Sequence, residues 1–179
     1  QMFLVTAVVS MFFIPLFFYL GEKISSQSRF KKVIEDDKKE KSKLVNHTII
    51  AGFGVNGQNI SRTLKLLGLP FNIIELNSST VKKYKKLGYP IQYGDLDRKE
   101  NLISMGITDA ALLVIAISDM DAAKRSIKIA KDVNKDIKII VRSNYLAEVE
   151  PMYKLGADLV LSQDMETSLI FLFHILRYY

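Results

Sequence analysis

A chain of 179 residues has room for one globular domain and an appendage. It has no cysteine, which excludes disulfides, thiolate metal sites and cysteine nucleophiles; its two histidines, His47 and His174, leave carboxylates almost alone to build any zinc or iron site. Of the net charge of +6, residues 22–47 carry +3 (eight Lys/Arg against five Asp/Glu) and the longer remainder +3 (17 against 14), so the basic excess forms no concentrated nucleic-acid footprint.

Met2 to Leu20 is a run of 19 residues without a charge. As a helix it would span roughly 28 Å, close to the ~30 Å hydrocarbon core of a bilayer. Pro15 lies inside it, which a membrane bundle tolerates because neighbouring groups satisfy the freed carbonyl. Residues 1–21 are therefore expected to form a transmembrane helix. Lys23, Arg29, Lys31 and Lys32 follow at once and put its C-terminal side in the cytoplasm. The chain opens on Gln1, with neither a basic stretch nor a small-residue cleavage site before the apolar run; this disfavours a signal peptide and reads as a piece of a longer membrane protein. Residues 22–45 are charge-mixed and lack an apolar face, as in Asp36-Asp37-Lys38-Lys39-Glu40-Lys41, and are read as a cytoplasmic linker.

From Thr48 short apolar runs alternate with helical stretches. Strands are expected at Thr48–Ala51, Phe71–Leu76, Ile91–Tyr93, Ala111–Ile117, Ile137–Arg142 and Asp158–Leu161; they are apolar on both faces, which suits a parallel sheet covered on both sides. The helices between them place Ile60, Leu64 and Leu67 on one face, then Val81, Tyr84 and Leu87, then Ala123, Ile127, Ala130 and Val133. Gly68, Gly88 and Gly156 stand where helices should stop, and Asn144 where one should be capped. The fold class is thus α/β, a Rossmann-like doubly wound parallel six-stranded sheet spanning residues 46–164. Residues 165–179 are apolar around much of their surface, including Leu169, Phe171, Leu172, Phe173 and Leu176. They are expected to form a crossover helix that pairs two copies into a homodimer, the alternative being packing on a further C-terminal domain.

The chemistry lies in the turn Gly52-Phe53-Gly54-Val55-Asn56-Gly57, a G-x-G-x-x-G between a strand and a helix. Gly52 permits the tight turn, Gly54 lets a pyrophosphate approach the backbone, and Gly57 lets helix and strand pack closely. The helix N-terminus offers free N–H groups to phosphates. Glu75, 23 residues after Gly52, stands beside Leu76 where an acid accepts hydrogen bonds from ribose hydroxyls. A carboxylate there repels a 2′-phosphate, so NAD(H) or an adenine nucleotide (AMP or ATP) is expected rather than NADP. Gly94 and Asp95 end the third strand at the edge where ligands bind; Asp95 would contact the adenosine or cap the following turn. Ala116, with Ile117, ends the fourth strand at the switch point and would line the crevice. Arg142 ends the fifth and would pair with a phosphate or with a carboxylate across an interface. Catalytic signals are missing: the chain has no G-x-S-x-G, no P-loop lysine and no histidine near this edge, and Tyr19-x-x-x-Lys23 lies upstream of the nucleotide site. The turn reads as a sensor, not an enzyme's active centre.

These motifs together resemble an RCK domain, also called KTN or TrkA-N: Ile49-Ile-Ala-Gly-Phe-Gly-Val-Asn-Gly57, Ile73-Ile-Glu75, Leu87-Gly-Tyr-Pro-Ile-Gln-Tyr-Gly-Asp95, then Ile139-Ile-Val-Arg142 and Gly156-Ala-Asp-Leu-Val-Leu-Ser162. The likeness covers roughly Asn46 to Ser168. The stretch from Ser10 to Gly21 is similar to the last transmembrane helix of Kef-type monovalent cation:proton antiporters of the CPA2 family. The resemblance implies a multi-pass protein of the cell (inner) membrane that exchanges potassium, or sodium, for protons. Its cytoplasmic domain would be a nucleotide-regulated dimer. Glutathione-gated members carry additional basic residues and histidines after the fifth strand; the segment from Ser143 to Lys154 has neither pattern, and glutathione gating is not implied. Two other readings stay open: an RCK gating-ring domain of a potassium channel, and a membrane-anchored NAD-dependent oxidoreductase.

Overall fold

In the computed structural model, residues 44–178 are described. The expected transmembrane helix at 1–21 and most of the 22–45 linker lie outside them. Among the described residues no helix is long and apolar enough to cross a membrane.

Strands β1 (His47–Ala51), β2 (Phe71–Glu75), β3 (Ile91–Tyr93), β4 (Ala110–Ile115), β5 (Lys138–Ser143) and β6 (Leu159–Ser162) alternate with helices α1 (Val55–Leu66), α2 (Ser78–Lys86), α3 (Lys99–Ser104), α4 (Met120–Val133), α5 (Val149–Lys154) and α6 (Gln163–Leu176). All strand pairs are parallel, in the order β3-β2-β1-β4-β5-β6. This is the expected doubly wound sheet. Its order reverses between β1 and β4, and there the carboxyl ends of the strands open a crevice.

Successive residues of each strand feed two different cores. Ile49 and Ala51 of β1, Leu113 and Ile115 of β4, and Ile139 and Val141 of β5 pack with Leu102 of α3, Ile127 of α4 and Met152 of α5. Ile50, Ile73 and Ile91 point the other way and pack with Val81, Ile60 and Leu64 of α1 and α2. Each such buried aliphatic side chain contributes about 1.5–3 kcal/mol relative to exposure.

Right-handed crossovers put α1 and α2 over β1–β3 on one face and α3–α5 on the opposite face. The first face therefore ends at β1. Val114 of β4 on that face is still buried, but over β5 and β6 Leu159 and Leu161 are 40% and 41% exposed among the described residues. The expectation of a sheet covered on both sides holds for one face and half of the other.

The structure corrects some local expectations. Leu67 and Leu87 are exposed rather than packed, because each is the C-terminal cap of its helix, where the chain turns away through Gly68 or Gly88 at positive φ. Asn144 caps nothing: the segment after β5 begins as a 3-10 turn at Leu146–Glu148 with Tyr145 at its cap position and no side-chain cap. The Ser143 hydroxyl takes the Tyr145 N–H instead. Helix α6 starts at Gln163, two residues before the expected 165, and none of its residues is buried.

Candidate functional site

The glycine-rich turn joins β1 to α1 by close backbone contact. Gly52 has φ +91°, and a Cβ there would lie 2.9 Å from the Ile117 side chain. A Cβ on Gly57 would lie 2.0 Å from the Gly52 carbonyl oxygen, so α1 starts against the turn itself. Gly54 is different: a Cβ there would meet nothing within 4 Å. Its bare face opens outward.

Phe53 anchors the turn from beneath. Its ring is buried edge-on against Tyr84 and Tyr89, with centroids 4.7 and 5.7 Å away. Gln58 of α1 donates to the Phe53 carbonyl at 3.1 Å and accepts from the Tyr84 hydroxyl at 2.9 Å, which ties α1, α2 and the turn together.

Glu75, at the end of β2, spans two elements. One carboxylate oxygen accepts the Phe53 N–H at 2.6 Å and the other the Asn77 N–H at 2.7 Å. A carboxylate has about four lone-pair sites, so two remain after these bonds. Asn77 and Asp119 cap α2 and α4 with their side chains, whereas Gly54, at the N-cap of α1, has no side chain to do so. The first-turn N–H groups of α1 thus have neither an intrahelical acceptor nor a side-chain cap, and their positive dipole end favours an anion.

A cleft of about 380 Å³ lies over these groups at the switch point. Eight of the twelve expected site residues line it: Gly52, Phe53 and Gly54 from the turn, Glu75 and Leu76 after β2, Gly94 and Asp95 after β3, and Ala116 after β4. Gly57 is buried under the turn, and Val55 is exposed outside the cleft. Asn56 and Arg142 line a second groove of about 660 Å³ over the uncovered half of the sheet, with Leu112, Val114, Ile140 and Leu161 as its floor. There Arg142 donates to the Gln163 side chain at 2.6 Å. Ala116 borders both depressions.

Sequence reasoning missed Asp97, Asp119 and Arg125, which also line the cleft. Asp119 carried a legible signal, as a capping residue two positions after Ile117 and just before an amphipathic helix. Arg125 carried none, because its position follows from the packing of α4 beside the loop after β3. It pairs with Asp97 through Nη2 at 2.7 Å and Nε at 2.8 Å. That hydrogen bond holds the Asp97 carboxyl below its ordinary range, while burial, helped by the neighbouring Asp97, pushes the Asp95 carboxyl above its own. The turn after β3 is closed on the Asp95 backbone carbonyl, which accepts from the Asn101 side chain at 2.8 Å.

The TrkA-N domain model matches residues 48–163, from the first strand through the start of α6. The chain belongs to this family. It is 30% identical over 158 residues to a putative K(+) efflux antiporter KefB of Alkalimonas amylolytica, a match covering 88% of this chain and 23% of that protein. The chain thus spans about a quarter of that relative's length. Among solved structures, the TrkA-N domain of the inner membrane protein YbaL from Escherichia coli superposes with a TM-score of 0.69 at 25% identity, covering 72% of this chain and 96% of that one. The Kef CTD of Shewanella denitrificans in AMP-bound form gives a TM-score of 0.64 at 28% identity, covering 74% and 80%. The TrkA-N fold expected from the resemblance is therefore the fold observed, and the relatives that match it include a putative K(+) efflux antiporter.

Proposed function

We propose that this chain is the nucleotide-sensing regulatory part of a potassium (or other monovalent cation):proton antiporter of the cell membrane, and that it controls ion exchange from the cytoplasmic side. The observation that carries this reading is the cleft itself: an uncapped helix start, the open face of Gly54 and the two remaining acceptor sites of Glu75 converge at the switch point of a TrkA-N domain. Phosphate would sit on the α1 N-terminus and ribose hydroxyls on Glu75. The ligand is NAD(H) or an adenine nucleotide; NADP is disfavoured because its 2′-phosphate would face the Glu75 carboxylate. The AMP-bound form of the Kef CTD supports the same ligand class. That the relatives are named as potassium efflux proteins favours sensing over turnover.

Regulation then works by population shift. A nucleotide that binds one arrangement of a homodimer better than another biases the linker toward the membrane domain. A tenfold preference supplies about 1.4 kcal/mol. The uncovered half of the sheet and the exposed apolar residues of α6 supply two faces that a second copy would cover.

The test is thermal unfolding of the 179-residue chain with NAD, NADH, AMP, ATP and NADP. A ligand at 100 times its Kd adds about 2.7 kcal/mol, or several degrees in a domain of this size. A rise with NAD(H) or an adenine nucleotide but not NADP, lost in Glu75→Ala, is expected. No rise with any of them, in a folded sample, would remove the sensor reading.

A further inference from the structure

The basic excess of the domain is concentrated in one place. Residues 55–90, from the start of α1 to the loop before β3, hold six Lys/Arg against one Asp/Glu, whereas residues 91–179 hold 11 against 13. The single acid, Glu75, closes β2 at the carboxyl edge of the sheet, beside the cleft. Most of the cations lie towards the other edge: Lys65 in the last turn of α1, and Lys83, Lys85 and Lys86 in the last turn of α2. Because all strands are parallel, the helices that return the chain end at the amino edge. The loops that follow lie side by side there, with the Pro70 carbonyl accepting the Thr48 N–H at 3.0 Å and the Pro90 carbonyl the Ile73 N–H at 2.8 Å. Lys65 bridges the two loops, its ammonium standing 4.7 Å from the ring centre of Tyr89.

Exposed leucines share that edge. Leu66 and Leu67, 82% and 65% exposed, end α1; Leu69 follows them, and Leu87 ends α2 at 58%. The negative end of a helix accounts for cations in its last turn, but it gives no reason for leucines beside them. Cations set among exposed aliphatic side chains fit the interface of an anionic bilayer, where apolar groups enter the acyl boundary and ammonium groups meet lipid phosphate. A nucleic acid would use the cations and leave the leucines in water. The chain also supplies a tether: it enters β1 at this edge, and 23 residues, 21–43, separate Leu44 from the uncharged run Met2–Leu20. A tether makes docking intramolecular, so a small patch is enough.

We propose that the amino edge formed by the ends of α1 and α2 docks on the anionic cytoplasmic face of the membrane, with the cleft at the opposite edge turned to the cytosol. This docking rests on the membrane placement proposed above. Each cation close to an anionic surface changes the docking equilibrium by about fivefold.

The experiment places a dye at either edge. Thr108, in the loop before β4, and Ser118, after β4, are both exposed, and the chain has no cysteine, so Thr108→Cys and Ser118→Cys each provide one labelling site. The 179-residue chain is reconstituted with vesicles that carry a quencher on their headgroups, made of phosphatidylcholine alone or with about a third phosphatidylserine. The dye at 108 is expected to be quenched several-fold more than the dye at 118 in the anionic vesicles. That difference should shrink in neutral vesicles and at 1 M salt, where the screening length is about 3 Å. It should also shrink in Lys65→Gln with Lys86→Gln, and in Leu66→Ser with Leu67→Ser, each checked for folding by circular dichroism. Equal quenching at both positions in anionic vesicles, or a difference that neither folded double variant changes, would overturn the docking. Quenching that duplex DNA abolishes and the leucine variant leaves intact would assign the basic surface to nucleic acid instead. A chain that floats with neither vesicle in a density gradient would overturn the membrane placement itself, and the docking with it.

Discussion

At the scale of single residues, the three glycines of the turn do three separable jobs. Gly57 lies 2.0 Å, as measured from a hypothetical Cβ, from the Gly52 carbonyl, and no side chain can yield there because the neighbour is backbone. Gly57→Ala should therefore cost about 3 kcal/mol of stability, visible as a lower denaturation midpoint. Gly54 has φ −69° and open space around its Cβ position, so Gly54→Ala should leave stability within about 0.5 kcal/mol of the parent. The same methyl would stand between a phosphate and the first N–H groups of α1 and should weaken nucleotide binding at least about tenfold, or 1.4 kcal/mol. Equal loss of stability in both variants would show that Gly54 serves only the turn. Much of this was legible in the sequence, because G-x-G-x-x-G between a strand and a helix prescribes backbone geometry. The second task of Glu75 was not. Its spacing from Gly52 points to a ribose, but its bond to the Phe53 N–H exists only once β2 has been laid beside β1.

At the scale of elements, one carboxylate clamps α4, β5 and the start of β6. Asp158 accepts from Lys138 at 2.9 Å, from the Ile139 backbone N–H at 2.9 Å and from Lys131 at 3.2 Å. Burial pushes its carboxyl up, but these hydrogen bonds outweigh burial and leave it below the ordinary range. A carboxyl depressed in the folded state adds stability that is complete above its unfolded pKa, about 3.9, and is lost as pH falls through the lower folded value. The measured stability should therefore drop on acidification below about pH 4. Asp158→Asn should lower stability at neutral pH by about 1–2 kcal/mol and make the acid limb shallower. An acid limb identical to the parent's would place that linkage elsewhere. The strands around this clamp were readable from their apolar runs to within a residue or two. The caps were read less well: Asn144 looked like one and is not, while Asn77 and Asp119 cap their helices. A capping residue and a turn residue share one chemistry, and which of them forms depends on where the next helix docks.

At the scale of the whole molecule, the periodicity of six apolar runs predicted the sheet and its winding, because a parallel strand must return through a crossover of fixed hand. It could not reveal that the described residues cover only about half of one face, since Leu112 and Ile140 look like core residues whether their cover comes from the same chain or from another. The uncovered floor and the exposed face of α6, with Phe171 at 64% and Phe173 at 70%, are both apolar. If two copies meet through them, sedimentation of the chain should give a dimer that Phe171→Glu with Leu172→Glu converts to monomer without changing its circular dichroism. A dimer that survives both substitutions would place the contact elsewhere.

Ala116 sits on the ridge between the cleft over the glycine-rich turn and the second groove. Because the chain has no cysteine, Ala116→Cys would introduce a single thiol at the junction of the two. An environment-sensitive dye attached there would report occupancy on one side and assembly on the other, so ligand and concentration titrations of one labelled sample would reveal whether filling the first depression alters the second.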